Sequence, residues 1–297
     1  MSGHYPHVRI YMSDGEIRSL YIREGVSITF YMKRSHQEVA QAVLSALEVY
    51  CRAVGPQKLG WYADPYSGDW DELDDKGWTY IRRELLEAPA TSIWLRETSN
   101  SNTGYEFNYQ GHLLDICELD AASTVSFLLP TEYLEEHGPG RIQELALKLA
   151  AELPFNSGHA GLCFNFPEGV LGTLTAIRDM SLRHPGMDIP AVHSTSLSIG
   201  TRINGVHWLN FLGQPVLGAL GGATGLRPHL HSPDTTVQEL EGEGAVVTLG
   251  ARPEAGDLEQ GHTLPAYREL ARVLEPWLYL GRFRDEELRR WERRFLD

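Results

Sequence analysis

The chain has 297 residues, of which 42% are hydrophobic and 22% charged, a balance typical of a globular protein with a substantial core. Its 26 Lys and Arg residues against 40 Asp and Glu residues give a formal net charge of -14 at pH 7. This charge repels phosphate backbones and anionic lipid headgroups, so we expect neither direct nucleic-acid binding nor membrane binding.

The cysteines and the amino-terminal residues indicate in which cellular compartment the protein resides. Cys51, Cys117 and Cys163 are widely spaced in apolar sequence, as expected of reduced, packed thiols. The first residues lack a basic start followed by an apolar stretch, and no segment approaches about eighteen continuous apolar residues. These patterns predict a soluble, cytoplasmic protein.

The first part of the chain predicts a β-meander followed by a helix. Residues 8–12 and 17–23 flank Ser13-Asp14-Gly15, a hairpin signal. Ser35 and Glu38 form a capping box that starts a helix, and Gly55-Pro56 ends it. The further predicted elements of this half are strands at 26–32, 59–63, 92–97 and 105–110 and a short helix at 78–86.

From Ser123 the order of elements starts again, which suggests a duplication. A strand, a long helix that ends at Pro154, a short aromatic strand and a second helix repeat the order of the first half. The predicted fold class is α+β, with helices packed on largely antiparallel sheet. We expect one domain over residues 1–297, with two similar halves of about 1–120 and 121–281 and a charged C-terminal helix at 282–297. The predicted elements after Ser123 are strands at 124–129, 161–166, 197–203, 206–211 and 246–249 and helices through Leu153, at 170–182 and through Leu274.

The strongest candidate for a binding function is an acidic segment between a predicted strand and a predicted helix. It interleaves six carboxylates with two aromatic residues, and Lys76 is the basic residue beside it. Aromatic anchors ringed by carboxylates suit a surface that docks on a basic cleft. The alternative is a helix-capping loop whose Trp70 folds back on the core. The candidate partner-binding residues are Asp64, Tyr66, Asp69, Trp70, Asp71, Glu72, Asp74 and Asp75.

The same acids also suggest a rival, catalytic function. Asp64 lies ten residues before Asp74-Asp75-Lys76, a spacing similar to that of magnesium-dependent nucleases. Such a triplet normally lies on a buried strand, whereas here it lies in an Asp-rich connection, and the net charge opposes a polyanionic substrate. The alternative function is therefore a magnesium-dependent hydrolase that uses Asp64, Asp74, Asp75 and Lys76.

The histidines suggest one candidate metal site, formed by His229, His231, Asp234 and either His193 or His207. Histidines two apart on a strand point the same way and suit a metal. The twelve histidines are otherwise scattered, without a Cys pair or a His-Glu-x-x-His spacing, so surface or core histidines are the alternative. No serine stands in a Gly-x-Ser-x-Gly turn, and no glycine run matches a dinucleotide or phosphate loop. We therefore expect no catalytic residue, no metal and no cofactor.

The C-terminal third carries a characteristic order of apolar and glycine-containing motifs. The apolar run around Trp208 and Phe211 predicts a buried strand, because it is too crowded for a solvated loop. Gly213-Gln214-Pro215 breaks this run, and Gly221-Gly222 ends the short apolar helix that follows.

In this order the motifs resemble those of the TsiV family, bacterial immunity proteins that protect a cell from a nuclease toxin delivered by a type VI secretion system. The resemblance covers roughly the second half of the chain and brings no catalytic residues with it. It implies that the protein binds a cognate toxin effector. The net charge of -14 adds the expectation of a basic nuclease domain as partner, whose active site or nucleic-acid channel the acidic surface blocks. A structural interaction protein without a toxin partner is the remaining alternative. The segments that carry the resemblance are 182–188, 205–209, Leu212-Gly213, Gly221-Gly222, 250–257 and 264–267.

Overall fold

The strands of the described residues form one antiparallel sheet, and with the helices they confirm the α+β class. A computed structural model describes residues 5–14, 17–65, 67–100, 102–114, 119–168, 172–242 and 244–297. The strands are β1 (Arg9–Asp14), β2 (Ile17–Met32), β3 (Trp61–Ala63), β4 (Trp70–Glu72), β5 (Thr91–Arg96), β6 (Glu106–Gly111), β7 (Ser123–Pro130), β8 (Ser157–Asn165), β9 (Leu209–Leu212), β10 (Thr235–Leu240) and β11 (Gly244–Leu249).

The longest helix begins where its capping box predicts. The backbone N–H of Ser35 donates to the Glu38 carboxylate at 2.8 Å, and Gly55 ends the helix with a φ of 99°. Among the described residues, no helix combines the length and the apolar character needed to span a bilayer. The helices are α1 (His36–Val54), α2 (Asp75–Glu87), α3 (Thr131–His137), α4 (Pro139–Glu152), α5 (Thr173–Arg183), α6 (Val192–Ser196), α7 (Val216–Ala219), α8 (Gly222–Leu226), α9 (Pro265–Leu274) and α10 (Glu286–Glu292).

The two halves of the chain meet at the centre of the sheet. The strand order is β10-β11-β9-β8-β2-β7-β6-β5-β3-β4, and β1 pairs with the first part of β2. Strand β8, from the second half, therefore lies next to β2. Its counterpart in the first half, β3, lies near the β4 edge of the sheet. The duplication of the halves 1–120 and 121–281, with the helix predicted at 282–297, stays a prediction.

The sheet is covered differently along its width. Every residue of β7 and β8 is buried, so both faces of these central strands are covered. On β5, by contrast, Ile93 and Leu95 are buried, while the alternate residues Ser92, Trp94 and Arg96 keep contact with solvent. Helices α1 and α2 contact strands β5 to β7. The second face of β5 is thus partly open toward solvent near the β4 edge, whereas Asn108 and Gln110 on β6 are buried.

Four parts of the fold differ from the sequence-based expectation. The strand predicted at 197–203 is wrong: the N–H groups of Ser198 and Ile199 both donate to the Thr195 carbonyl, which continues the turn after α6. Strand β10 was not among the predicted strands, because an edge strand needs little apolar sequence. Strand β4 and helix α3 were not predicted either, since both are short and rich in acidic residues.

Candidate functional site

The acidic segment 64–75, hereafter the acidic hairpin, lies at the edge of the sheet. Strand β4 is the last strand on this side and pairs with β3, with Ala63 opposite Trp70. The half-buried Asp64 carboxylate accepts the N–H of Ser67 at 2.7 Å, and Gly68 takes the left-handed φ of 76° that the turn needs. The hairpin therefore includes the last strand on this side of the described sheet.

Most of the carboxylates of the acidic hairpin are exposed. In the described part of the chain, salt bridges join Lys58 to Glu97 and Arg83 to Glu84, and the exposed carboxylates of the hairpin take part in neither. Uncompensated carboxylates on one edge attract a basic partner and raise its association rate. The exposed carboxylates are those of Asp69, Asp71, Glu72, Asp74 and Asp75.

The aromatic residue of the hairpin packs back on the sheet. The half-buried Trp70 ring lies 5.1 Å from that of Trp94, edge to face, and the Arg96 guanidinium lies 3.4 Å from the Trp70 centroid. Burial lowers the pKa of Arg96 to about 10. Trp70 thus fixes the hairpin and offers a partner only its outer part. The second aromatic candidate, Tyr66, lies outside the described residues.

Asp74 joins the hairpin to helix α2. Its carboxylate accepts the N–H groups of Lys76 and Gly77, each at 2.9 Å, and so caps the helix. Gly77 lies close to β4, because an added Cβ would stand 3.0 Å from the Glu72 carbonyl oxygen. Asp75, the first residue of α2, is exposed. The role of Asp74 visible in the fold is therefore structural.

The residues of the rival catalytic site are not brought together. The carboxylate of Asp64 binds its own turn and that of Asp74 caps α2. Where the structure describes the chain, the side chains that gather as potential metal ligands lie elsewhere, and Asp64, Asp74 and Asp75 are not among them. The acidic hairpin therefore lacks the converging carboxylates that a magnesium-dependent hydrolase needs.

The predicted histidine site also fails to assemble. His229 ends a 3-10 helix and His231 follows it outside any strand, so the assumption that they share a strand is wrong. The Nδ1 atom of His231 instead lies 3.3 Å from the Glu269 carboxylate. His193 lies in α6, apart from His207, which packs in the interior with other partners.

A buried cluster joins His159 of β8, Asp188 and His207. The Nε2 atoms of the two imidazoles lie 3.4 Å (His159) and 3.3 Å (His207) from the two carboxylate oxygens. All three residues are buried, at 3%, 2% and 1% exposure. Because they are distant in sequence and obey no ligand spacing, nothing in the sequence analysis grouped them.

The geometry of this cluster suits a structural ion network better than a metal. The two imidazole rings are stacked 3.8 Å apart at 14°, so their in-plane lone pairs do not converge on one ion. Burial alone raises the pKa of Asp188, but the imidazoles outweigh burial and hold it well below its usual value. Burial, reinforced by His159, lowers the pKa of His207 to about 3. The cluster therefore places a carboxylate beside a neutral His207 in the core.

Comparison with known protein families assigns this chain to a family. The family model for TsiV, type VI immunity for VRR-NUC, matches residues 42–295 of the chain. The chain belongs to the TsiV family. Its structure is also similar to that of the Pseudomonas aeruginosa T6SS protein PA0821, with a TM-score of 0.81 and 20% sequence identity over 99% of this chain and 88% of that chain. Among curated protein sequences, none matches this one.

Two of the motifs that resemble the TsiV family, segments 182–188 and 250–257, pack against each other. Arg183 donates to the carboxylate of Asp257 through Nε at 3.1 Å and through Nη2 at 2.7 Å. Beside this pair, a Cβ at Gly186 would stand 1.9 Å from the Glu254 carbonyl oxygen, so the two segments pack backbone to backbone. Segments 182–188 and 250–257 therefore lie side by side in the fold.

Proposed function

We propose that this TsiV-family protein binds and neutralises a cognate type VI secretion effector with a VRR-NUC nuclease domain. It acts in the cytosol, without catalysis of its own, by covering the active site or the nucleic-acid channel of the effector. The family assignment supports the class of partner. The observation that carries the mechanism is the row of exposed, uncompensated carboxylates on the acidic hairpin.

Electrostatics favours this mechanism. A nuclease must hold a polyanion, so its substrate channel is basic, and an acidic protein that enters the channel takes the place of nucleic acid. The net charge of -14 adds long-range attraction that speeds the encounter and weakens with salt. Occlusion is therefore steric at contact and electrostatic at a distance.

The proposed contact residues divide into two groups by their place in the fold. Asp69, Asp71 and Glu72 are exposed on the edge strand and its turn, and they reach the partner directly. Asp64, Asp74 and Trp70 shape the hairpin from within, through the turn, the helix cap and the stacking on Arg96. The full proposed surface is Asp64, Tyr66, Asp69, Trp70, Asp71, Glu72, Asp74 and Asp75.

The test is a binding and inhibition assay with the purified effector nuclease domain. A variant with Asp69→Ser, Asp71→Ser and Glu72→Gln removes three charges but keeps the cap at Asp74. We expect its Kd to rise about tenfold or more and its association rate to fall, because each contact loses a carboxylate. The wild-type chain should protect plasmid DNA from nicking by the effector.

The matched control removes the same number of charges at the opposite edge of the sheet, with Asp234→Asn, Glu239→Gln and Glu241→Gln on and beside β10. Equal loss of affinity in both variants would mean that net charge alone drives binding. Unchanged affinity of the hairpin variant at low salt would place the interface elsewhere. Incubation of the chain alone with magnesium and plasmid tests the rival hydrolase, and nicking would contradict the immunity mechanism.

A further inference from the structure

A small cavity lies next to the side chains that hold the acidic hairpin. Its volume is about 190 Å³, and it is lined by residues of β5, β6 and the end of β8, among them Arg96, Glu106 and Asn165. Sites for drug-sized ligands begin at roughly 300 Å³, whereas a single ordered water needs far less. The cavity therefore fits a small polar group or ion.

The orientation of the Asn165 side-chain amide is fixed by its neighbour Asn102. The Nδ2 atom of Asn102 donates to the backbone carbonyl of Asn165 at 2.9 Å and to its Oδ1 atom at 2.8 Å. Because a backbone carbonyl only accepts, the donor end of Asn102 is identified, and its second partner must be the side-chain oxygen of Asn165. The Nδ2 atom of Asn165 is therefore the end that this contact leaves over, on a residue that is 2% exposed.

Arg96 supplies a positive charge to the lining of the same cavity. Its guanidinium donates through Nη2 to the Ser99 carbonyl and stacks on Trp70, and its pKa of about 10 keeps it charged at neutral pH. Among the described residues, Arg96 Nε and Asn165 Nδ2 are buried donors without a hydrogen-bond acceptor. Since buried donors are rarely left unpaired, these two N–H groups indicate an acceptor in the cavity.

Glu106, opposite Arg96 on β6, neutralises this charge only in part. Burial raises the pKa of Glu106 to about 7, although Arg96 favours the ionised carboxylate, and the charge of Glu168 adds to the rise. At pH 7.5, a carboxyl group with this pKa is neutral in about a quarter of the molecules. In those molecules the protonated carboxyl is a further donor, and Arg96 lacks an ionised partner among the groups that act on it.

We propose that this cavity binds a small oxyanion, the carboxylate or phosphate group of a ligand, between Arg96 Nε and Asn165 Nδ2. A guanidinium suits such a group, because charge-assisted hydrogen bonds to its oxygens are stronger than neutral ones. The same guanidinium stacks on Trp70, so the bound anion holds Arg96 in the position that orders the acidic hairpin. The site is separate from the proposed effector contact and does not depend on it.

Calorimetric titration of the full chain with sodium phosphate, and separately with sodium acetate, tests the site at pH 7.5. Sodium chloride at the same ionic strength is the control for screening by salt. We expect saturable binding of one equivalent of anion, and the probe with the lower Kd identifies whether the site prefers phosphate or carboxylate.

Two variants change the Kd in opposite directions. Asn165→Asp replaces the unpaired donor by an oxygen but keeps the acceptor for Asn102, and it should raise the Kd about tenfold or more. Glu106→Gln should lower the Kd about fourfold, because every molecule then has a neutral group beside Arg96. The matched control is Asn204→Asp, the same change at a buried asparagine, 8% exposed, that does not line this cavity.

Circular dichroism and thermal unfolding establish that each variant keeps the wild-type fold before its Kd is measured. Titrations with phosphate and acetate that give only the heat seen with chloride would overturn the proposal. So would an Asn165→Asp variant that binds as tightly as Asn204→Asp. If Asn165→Asp does not fold, Glu106→Gln decides, and an unchanged or higher Kd in that variant sinks the proposal. Binding of the effector is measured separately, so none of these results bears on the immunity function.

Discussion

The guanidinium of Arg96 lies over the ring of Trp70, 3.4 Å from its centroid, and connects the edge hairpin to the body of the sheet. Strand β4 has three residues and pairs with β3 alone, so its backbone hydrogen bonds hold the hairpin weakly. The stacked pair, with Trp94 beside it, supplies the missing packing. The order of the acidic hairpin therefore depends on these side chains as well as on its short strand pairing.

Replacement of Arg96 by Ala should loosen the hairpin. Loss of the stacked guanidinium and its buried stem is expected to cost about 1–2 kcal/mol of unfolding free energy and to speed amide exchange in β3 and β4. The control is Arg83→Ala, which removes a more exposed guanidinium that lies 5.4 Å from the Tyr80 centroid. Similar exchange rates at the hairpin amides in the two variants would show that the stack on Trp70 does not hold the hairpin.

The cap at Asp74 offers a second test, with a neighbour of the same charge as control. Asp74→Ala removes the acceptor of two backbone N–H groups and should lower the unfolding free energy by about 1 kcal/mol. Asp75→Ala removes an exposed carboxylate from the first helical position and should cost about 0.3–0.5 kcal/mol through the helix dipole. Urea denaturation measures both, and an equal loss in the two variants would contradict the capping role.

Gly186 tests the packing of the family motifs. Gly186→Ala places a methyl group 1.9 Å from the Glu254 carbonyl oxygen, so backbone must move, and we expect a loss of about 1–3 kcal/mol. In Gly140→Ala the new methyl group meets no described atom within 4 Å, and the stability should rise by about 0.4–1 kcal/mol. Equilibrium unfolding of the pair gives the contrast, and a neutral Gly186→Ala would show that the two segments tolerate separation.

The sequence predicted those elements whose end signals and apolar spacing match the residues that are buried in the fold. Helix α1 carries a capping box at Ser35 and a glycine stop at Gly55, and α9 opens on Pro265 with its apolar residues at helical spacing. Strand β10 was not predicted, because at the edge of the sheet half of its residues face solvent and its sequence contains few apolar residues. For residues 197–203 the error is the reverse: a strand was predicted that is not there. Their apolar residues alternate as in a strand, but tertiary contacts place them in turns.

The candidate site was predictable only where it is local. The carboxylates of segment 64–75 follow one another along the chain, so their common surface is visible in the sequence. The contacts of Gln110 with Ser92 and His193 depend on the register of β5 with β6 and on the position of α6. The cluster of His159, Asp188 and His207 depends on contacts across 48 residues or fewer that obey no fixed spacing. Such arrangements follow from topology, which a residue pattern does not encode.

The buried cluster makes stability depend on pH in a direction that the pKa shifts determine. The pKa of His207 is lowered from 6.5 to about 3, chiefly by burial, so below pH 6.5 the unfolded chain binds a proton that the folded chain refuses. Acidification therefore removes stability through His207. Glu106 acts in the opposite sense, because burial raises its pKa to about 7 and the folded chain takes up the proton first.

These opposed signs give a paired prediction for urea unfolding at pH 7 and pH 5. In His207→Gln the pH-dependent penalty is absent, so the variant should gain up to about 2 kcal/mol relative to the wild type between the two pH values, at about 1.4 kcal/mol per pH unit below pH 6.5. Glu106→Gln should lose stability relative to the wild type over the same interval, because it cannot take up the proton. If the unfolding free energy of each variant differs from that of the wild type by the same amount at both pH values, the pKa of neither group changes on folding, and this prediction is wrong.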